Sequence, residues 1–150
     1  MSDLAPLDAY CSALLANLQP SARRQLARQI AAGLRTANAK RIAAQQNPDG
    51  SPYEPRKQQK LRKKKGSIRR TMFAKMRTAR LLKTAATPEG AFVQFSAQVQ
   101  RMAEVHHYGL RDKVNRRRGP EVQYPARELL GITSADIELV ESLSLAHLAR

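Results

Sequence analysis

The chain has 150 residues, with 27 Lys or Arg against 12 Asp or Glu, which gives a formal net charge of +15 with histidine neutral. This length suits one domain that buries a sizeable core, and a single cysteine, Cys11, excludes an intrachain disulfide. No apolar run approaches the roughly 18 residues that a membrane-spanning helix needs, and the first residues lack the pattern of a secretory signal. We therefore expect a soluble protein made inside the cell, with acidic partners.

The positive charge is concentrated in the middle of the chain. From Glu54 to Arg80, twelve basic residues accompany a single acid, and a second cluster at residues 111–118 has five basic residues and one acid. The C-terminal stretch from Glu128 onward carries four acids and one basic residue, Arg150. This polarity favours head-to-tail contact between copies as well as attraction to nucleic acid.

Two helices are predicted at the N-terminus. Apolar residues recur at steps of three and four from Leu4 to Leu18, which indicates a helix that must bury this stripe on something. A second amphipathic pattern starts after Pro20 and extends to about Gln46, with apolar residues on one side and arginines mostly on the other. We expect the two helices to form an antiparallel hairpin around Pro20.

Turn residues and then a dense run of like charge come next in the chain. The segment Asn47–Pro52 combines Pro, Asp and Gly in the manner of a tight turn, so the second helix ends there. Residues 54–70 are predicted to form an exposed, mobile basic loop, because like charges this close repel each other in a compact state. Thr71–Arg77 is interpreted as a short helix that brings the chain back to the body.

The second half of the chain mixes strands and helices. Leu81–Ala86 and Ala91–Ser96 flank a turn and predict a β-hairpin. Gln98–Tyr108 is predicted to be a helix that stops at Gly109. Beyond a basic loop, Val122–Tyr124 is interpreted as strand or extended chain.

The C-terminal region ends in a helix for which Thr133 is the predicted N-cap, with Ile137, Val140 and Leu148 on the apolar side. Leu129, Leu130 and Ile132 are predicted to be core residues. The sequence thus predicts an α+β fold in a single domain, residues 1–150. It would contain an N-terminal helical hairpin, an exposed basic loop, a small antiparallel β-sheet and a C-terminal helix.

Catalytic chemistry has little support in the sequence. His106 and His107 point about 100° apart on a helix, and no HxxxH or CxxC spacing completes a metal shell. Neither glycine-rich phosphate-binding pattern occurs, and the acids are dispersed rather than convergent. We expect no enzyme activity, no cofactor and no metal.

The basic stretch is the strongest physical signal, and it leaves two alternatives open. Its lysines and arginines could neutralise phosphates of DNA or RNA without reading sequence. No aromatic residue lies between Tyr53 and Phe73, so stacking on single strands is poorly supported. A loop that becomes ordered against an acidic protein partner fits equally well by charge, and we give protein contact somewhat more weight.

Several stretches in series resemble the phage virion morphogenesis family, in particular the tail-completion type from contractile-tailed temperate phages. Their order and spacing cover nearly the whole chain. In the family pattern Gln often stands in place of His107 and Pro in place of Glu128, which argues further against a histidine-pair metal site. The matching stretches are Leu18–Arg24, Asn47–Tyr53 with Pro55–Arg56, Met72–Lys75, Val105–Leu110 and Tyr124–Gly131.

The resemblance implies a non-enzymatic structural protein, made in the host cytoplasm and present in the virion. It would complete the head-proximal end of the tail so that head and tail can join, as a homo-oligomeric ring around the DNA passage. The implied partners are other tail and neck proteins, such as the tail tube or terminator and the head connector, with possible non-specific contact to DNA and no membrane. The alternative is a small basic nucleic-acid-binding accessory protein.

The candidate contact residues for protein or DNA come from the two basic clusters and from the Tyr124–Gly131 stretch. Arg127, in that stretch, is interpreted either as a guanidinium that bridges subunits or as an ordinary surface charge, with equal weight. Removing the charges of the basic loop should leave folding intact and impair assembly. The full set is Lys57, Lys60, Arg62, Lys63, Lys64, Lys65, Arg69, Arg70, Arg116, Arg117, Arg118 and Arg127.

Overall fold

The computed structural model describes residues 5–57, 71–115 and 117–150. These residues form four helices and two small two-stranded sheets, which confirms the α+β class. The basic loop predicted at 54–70 is described only for residues 54–57, and its remainder lies outside the described residues. The elements are α1 Ala5–Asn17, α2 Pro20–Ala43, β1 Leu82–Ala86, β2 Ala91–Phe95, α3 Ala97–Tyr108, β3 Arg111–Lys113, β4 Glu121–Gln123 and α4 Ser134–Leu148.

The described chain divides into two compact units. We call residues 5–37, 83–94 and 132–150 the terminal unit, and residues 38–57, 71–82, 95–115 and 117–131 the central unit. Helix α2 contributes its first part to the terminal unit and residues 38–43 to the central unit. The prediction of a single domain stays a prediction.

The terminal unit holds α1, most of α2, the β1–β2 turn and α4. The helix break falls at Leu18–Gln19, and Pro20 begins α2, where its missing N–H costs no hydrogen bond. Asn17 joins α1 to α4, because its carbonyl lies 3.0 Å from Nε2 of His147 and its side chain donates to the carbonyl of Arg150 at 3.1 Å. The two predicted N-terminal helices are confirmed, while their packing as an antiparallel hairpin stays a prediction.

Helix α4 begins as predicted. Thr133 and Asp136 form a reciprocal capping box, in which the Thr133 side chain accepts from the Asp136 N–H and the Asp136 carboxylate accepts from the Thr133 N–H. The buried face of α4 differs from the apolar side that the sequence pattern predicts. Asp136 and His147 are buried, whereas Ile137 is 51% exposed.

The central unit contains a core of larger apolar side chains. Ile42 and Leu129 are fully buried at its centre, and the predicted core role of Leu129 is confirmed. Leu130 is half-buried, and the prediction for Ile132 is wrong because its side chain is 67% exposed. The other residues of this cluster are Tyr53, Met72, Met76 and Ala103, with Phe73, Phe95 and Val99 packed against them. Leu82 and Val105 of the same unit are also buried.

Helix α3 and the strands β3 and β4 follow each other in this unit. Gly109 ends α3 in a left-handed conformation, with φ of 64°, and its N–H bonds the carbonyl of Val105. The antiparallel β3–β4 pair places Lys113 opposite Glu121. The helix predicted at Thr71–Arg77 is wrong, since these residues form turns with Phe73 at φ of 62°.

Candidate functional site

The predicted contact residues fall into three groups. Lys57, Arg117 and Arg118 are exposed, and the last two lie in the turn between β3 and β4. Arg127 is buried, at 4% exposure. The others lie outside the described residues: Lys60, Arg62, Lys63, Lys64, Lys65, Arg69, Arg70 and Arg116.

The Arg127 guanidinium is used within its own chain. Its Nε donates to the carbonyl of Glu54 at 2.7 Å and its Nη2 to the carbonyl of Pro55 at 3.2 Å. A third nitrogen, Nη1, lies 3.4 Å from Nδ1 of His106. The interpretation of Arg127 as an ordinary surface charge is therefore wrong, because burial and three intrachain contacts occupy this side chain.

The charge of Arg127 shapes the electrostatics around it. Burial lowers the pKa of the guanidinium, an effect that the nearby Glu54 opposes. Burial, together with the charges of Arg127 and Arg56, lowers the pKa of His106 to about 4. At neutral pH the His106 ring is therefore uncharged. Its Nδ1 acts as the acceptor for Arg127, with the proton on Nε2.

Tyr53 immediately precedes the predicted basic loop at 54–70, and its side chain fixes its position. Its hydroxyl donates to the carbonyl of Glu128 at 3.2 Å, and its ring meets Phe73 edge-on with centroids 6.0 Å apart. Burial raises the pKa of Tyr53 to about 12, although the charges of Arg41 and Arg127 act in the opposite direction. The hydroxyl thus stays protonated and remains a donor at neutral pH.

Gln45 connects both ends of the basic segment. Its backbone carbonyl accepts the N–H of Tyr53 at 2.7 Å. Its side-chain amide donates to the carbonyl of Met72 at 2.9 Å and accepts the Met72 N–H at 2.8 Å. The described residues on either side of segment 58–70 are therefore held next to each other. We call Gln45, Tyr53, His106 and Arg127 the anchor residues.

Four of the five stretches that carry the family resemblance, those of the central unit, meet around the anchor residues. The Arg127 N–H bonds the carbonyl of His106 at 2.7 Å, and the rings of His106 and Tyr124 are 4.9 Å apart. The N–H of Glu128 bonds the side-chain oxygen of Asn47 at 2.9 Å, and that of Leu129 bonds Nδ1 of His107 at 3.2 Å. Stretches far apart in the sequence thus form one scaffold at the base of the basic segment.

The predicted turn at Asn47–Pro52 is confirmed and fits into the same scaffold. Asp49 accepts the N–H of Ser51 at 2.8 Å, which closes an Asx-turn, and hydrogen bonds to Ser51 lower the pKa of its exposed carboxylate. Pro48 packs so closely on Gly131 that a Cβ built there would lie 2.3 Å from its Cγ. The Asn38 side chain accepts the Gly131 N–H at 3.0 Å, and the Arg41 guanidinium donates to the Gly131 carbonyl at 2.8 Å.

The second basic cluster lies on the β3–β4 hairpin. The acid within that cluster, Asp112, pairs with Arg101 at 2.9 Å, so the negative charge is directed toward α3. Arg117 and Arg118, in the turn of this hairpin, are exposed cations. Among the described residues no three His, Cys, Asp or Glu side chains cluster in a way that could hold a metal ion. No helix in residues 5–57, 71–115 and 117–150 has the length and apolar character to span a bilayer.

The anchor roles leave little trace in the sequence. Arg127 is a candidate there because of its charge, but its acceptors are backbone carbonyls more than 70 residues away, and backbone carbonyls leave no mark in a sequence. Nothing in the sequence marks Gln45 as an anchor residue. Two features of the sequence indicate that distant segments meet in this region. They are Tyr53 and the series of stretches that match the family.

Comparison with known proteins gives a full-length match. The model of the phage virion morphogenesis family matches residues 2–149. The chain is 42% identical over 151 residues to tail completion protein S of Escherichia phage P2, and the alignment covers 100% of each chain. No solved structure matches the chain.

Proposed function

Since this chain belongs to the phage virion morphogenesis family, we propose that it completes the head-proximal end of a phage tail and so enables head and tail to join. The observation that carries this proposal is the full-length similarity to a protein named for tail completion. The role is structural, without a bond-making or bond-breaking step. The protein would therefore be a component of the virion.

In the proposed mechanism, the anchor residues form a scaffold that presents basic side chains to a partner. Gln45, Tyr53 and Arg127 fix residues 53–55 and Met72, so the basic segment starts and ends at a defined place on the central unit. Segment 58–70 contains seven basic residues, and Lys57, Arg117 and Arg118 add exposed positive charge. Such charge suits docking on an acidic surface of a tail tube, terminator or connector protein.

A ring around the DNA passage is the arrangement that we propose for this role. Copies that contact each other through two different surfaces close into a ring when the rotation per subunit is right. Positive charge facing the passage would make weak, distributed contacts with phosphates, which permit the DNA to move. Arg127 is not among the contact residues of this proposal, because its guanidinium is occupied within the chain.

The test is complementation of a phage that lacks this gene. We expect the mutant lysate to contain filled heads and unjoined tails in electron micrographs, and plasmid-borne wild-type protein to restore infectious particles. A triple variant, Lys63→Gln, Lys64→Gln and Lys65→Gln, should fold normally and lower the yield at least about tenfold. A matched control replaces Lys40, Arg80 and Lys83, all exposed, with Gln and has the same net charge.

The competing function is that of a small nucleic-acid-binding accessory protein, which the net charge of +15 favours. It predicts tight DNA or RNA binding whose affinity falls steeply with salt, and it predicts absence from purified virions. Normal particles in the mutant lysate, together with such binding, would replace the tail-completion proposal by this one.

A further inference from the structure

A groove opens between helix α3 and the β3–β4 hairpin of the central unit. Its volume is about 290 Å³, which is at the lower end of the range for small-molecule sites, so it suits one or two side chains of a partner. All the residues that line it belong to the central unit. They include Arg101, Met102, Val105, Asp112, Val114 and Tyr124.

The two walls of the groove come from one side of α3 and one face of the hairpin. Met102 and Val105 are three residues apart and so lie on the same side of α3. Side chains alternate between the faces of a strand, so Asp112 and Val114 share one face of the hairpin. The Asp112 carboxylate pairs with Arg101 of α3 at 2.9 Å, which orients this face toward the helix.

Apolar side chains in the groove are accessible to a partner. Met102, on the helix wall, is 46% exposed, and Val114, on the hairpin wall, is 57% exposed. Val105 between them is buried, at 7% exposure. A buried apolar base between exposed apolar walls has the form of a pocket that receives an anchoring side chain at a protein interface.

The hairpin beside the groove carries an excess of positive charge. Among its described residues, four exposed basic side chains accompany one exposed acid, Glu121, which the register sets opposite Lys113. The exposed acid of α3, Glu104, accepts from Gln100 at 3.0 Å on the side of the helix away from the groove. The rim therefore attracts carboxylates. The four basic residues are Arg111, Lys113, Arg117 and Arg118.

An acidic segment of another protein matches both the apolar groove and the basic rim. The phosphates of a DNA backbone would satisfy the cations but bring no apolar side chain for the groove. Segment 58–70 of the same chain contains seven basic residues, so its charge is of the wrong sign. A peptide in which carboxylates flank an apolar residue supplies both kinds of contact.

We propose that this groove receives an acidic segment of a partner virion protein, with one apolar side chain between Met102 and Val114 and carboxylates beside Lys113 and the turn arginines. This rests on the proposed function and names the chemistry by which the partner is selected. The apolar anchor supplies most of the affinity, and the charges direct the approach and the register of the partner segment.

The first test is photo-crosslinking. The photoreactive residue benzoylphenylalanine replaces Gln98, which is exposed and lines the groove, and the full chain is supplied to infecting phage that lack the gene. After irradiation we expect, by mass spectrometry, an adduct to a peptide of another virion protein in which Asp and Glu outnumber Lys and Arg. The matched control places the same residue at Gln100, which is exposed on the other side of α3, and should not form this adduct.

Several results of the crosslinking would overturn the proposal. They are an adduct to DNA, an adduct to a second copy of this chain, the same adduct at equal yield from both positions, and no adduct at Gln98.

The second test removes the apolar anchor site without changing charge. We expect Met102→Gln to fold normally by circular dichroism and urea unfolding, and to lower the yield of infectious particles at least about fivefold in complementation. The matched control is Leu110→Gln, which is also in the central unit, at 45% exposure, and lies outside the groove. Equal yields from the two variants would overturn the proposal. So would a loss of yield with Arg117→Gln, Arg118→Gln but none with Met102→Gln, because the cations would then act without the groove.

The two tests together separate this inference from the proposed function. If the gene is required for joining, but Met102→Gln restores the wild-type yield and the adduct at Gln98 is missing, the groove proposal alone is overturned. If phage lacking the gene already form normal joined particles while the adduct to an acidic virion peptide is present, tail completion is overturned and the groove contact stands.

Discussion

The Arg127 side chain holds two distant segments of the central unit together. Its planar fork reaches two successive carbonyls, of Glu54 and Pro55, and the ring of His106 at the same time. A lysine carries its three N–H donors on a single nitrogen, so it cannot reproduce the spacing by which three guanidinium nitrogens reach three separate acceptors. The arginine is thus required for its shape as much as for its charge.

This geometry makes Arg127→Lys a destabilising change. We expect the free energy of unfolding in urea to fall by about 2 kcal/mol, because hydrogen bonds to a charged group are lost in a buried place. Arg117→Lys, at an exposed position, should stay within about 0.5 kcal/mol of wild type. If Arg127 served instead as a bridge between subunits, Arg127→Lys would unfold like wild type and fail only in assembly.

At the scale of elements, the sequence predicts those whose signals are local. The turn at Thr87–Gly90, the stop at Gly109 and the cap at Thr133 each act through neighbouring residues, so β1–β2, α3 and α4 are predicted correctly. Strand β3 is missed because its three residues are all charged, and only its pairing with β4 makes it a strand.

Where distant parts of the chain decide the structure, the prediction fails. Residues 71–77 have a helical composition, but the Gln45 amide holds Met72 by two hydrogen bonds and Phe73 adopts a positive φ, which a helix excludes. Ile132 and Ile137 are of a residue type that is usually buried, yet both are exposed. The sequence shows that a residue is apolar but not whether the fold buries it.

Gly131, in the loop before α4, packs against the Asn47–Pro52 turn, and this contact yields a second stability prediction. A methyl group there would lie 2.3 Å from Cγ of Pro48, and the backbone on both sides is held by Asn38 and Arg41. We expect Gly131→Ala to lower the free energy of unfolding by about 1–3 kcal/mol, because the turn must move to make room. Thermal and urea unfolding measure this directly.

Gly50→Ala is the comparison that separates crowding from backbone strain. Gly50 has φ of 85° and no atom within 4 Å of an added Cβ, so only conformational strain of about 1 kcal/mol applies. A Gly131→Ala protein that is no less stable than Gly50→Ala would show that Pro48 moves away from the added methyl group without a loss of unfolding free energy.

At the scale of the whole molecule, charge is the dominant feature, and it gives stability a dependence on pH. The chain carries +15 before any histidine is protonated. His106 is half-buried in the central unit, beside Arg127 and under the influence of Arg56, so a proton on this ring is poorly solvated and adds to positive charge that is already present. The folded state therefore resists this protonation while the unfolded chain does not.

The sign of the effect follows from the two pKa values of His106. The pKa is about 4 in the folded protein and near 6.5 in the unfolded chain, so between these values only the unfolded chain binds the proton. This contribution to stability is complete above about pH 6.5 and is lost as the pH falls toward 4. Because solvent reaches part of the ring, we expect a loss of about 1 kcal/mol rather than the full linkage value.

The measurement is urea unfolding of wild type and His106→Gln at a series of pH values from 7 to 4. The carboxylates titrate alike in both proteins, so the difference between the two curves isolates His106. Wild type should lose about 1 kcal/mol more than the variant across this range, because glutamine accepts from Arg127 at every pH and takes up no proton. Parallel curves would mean that protonated His106 is accommodated beside Arg127, and that the neutral ring is not what holds this part of the scaffold together.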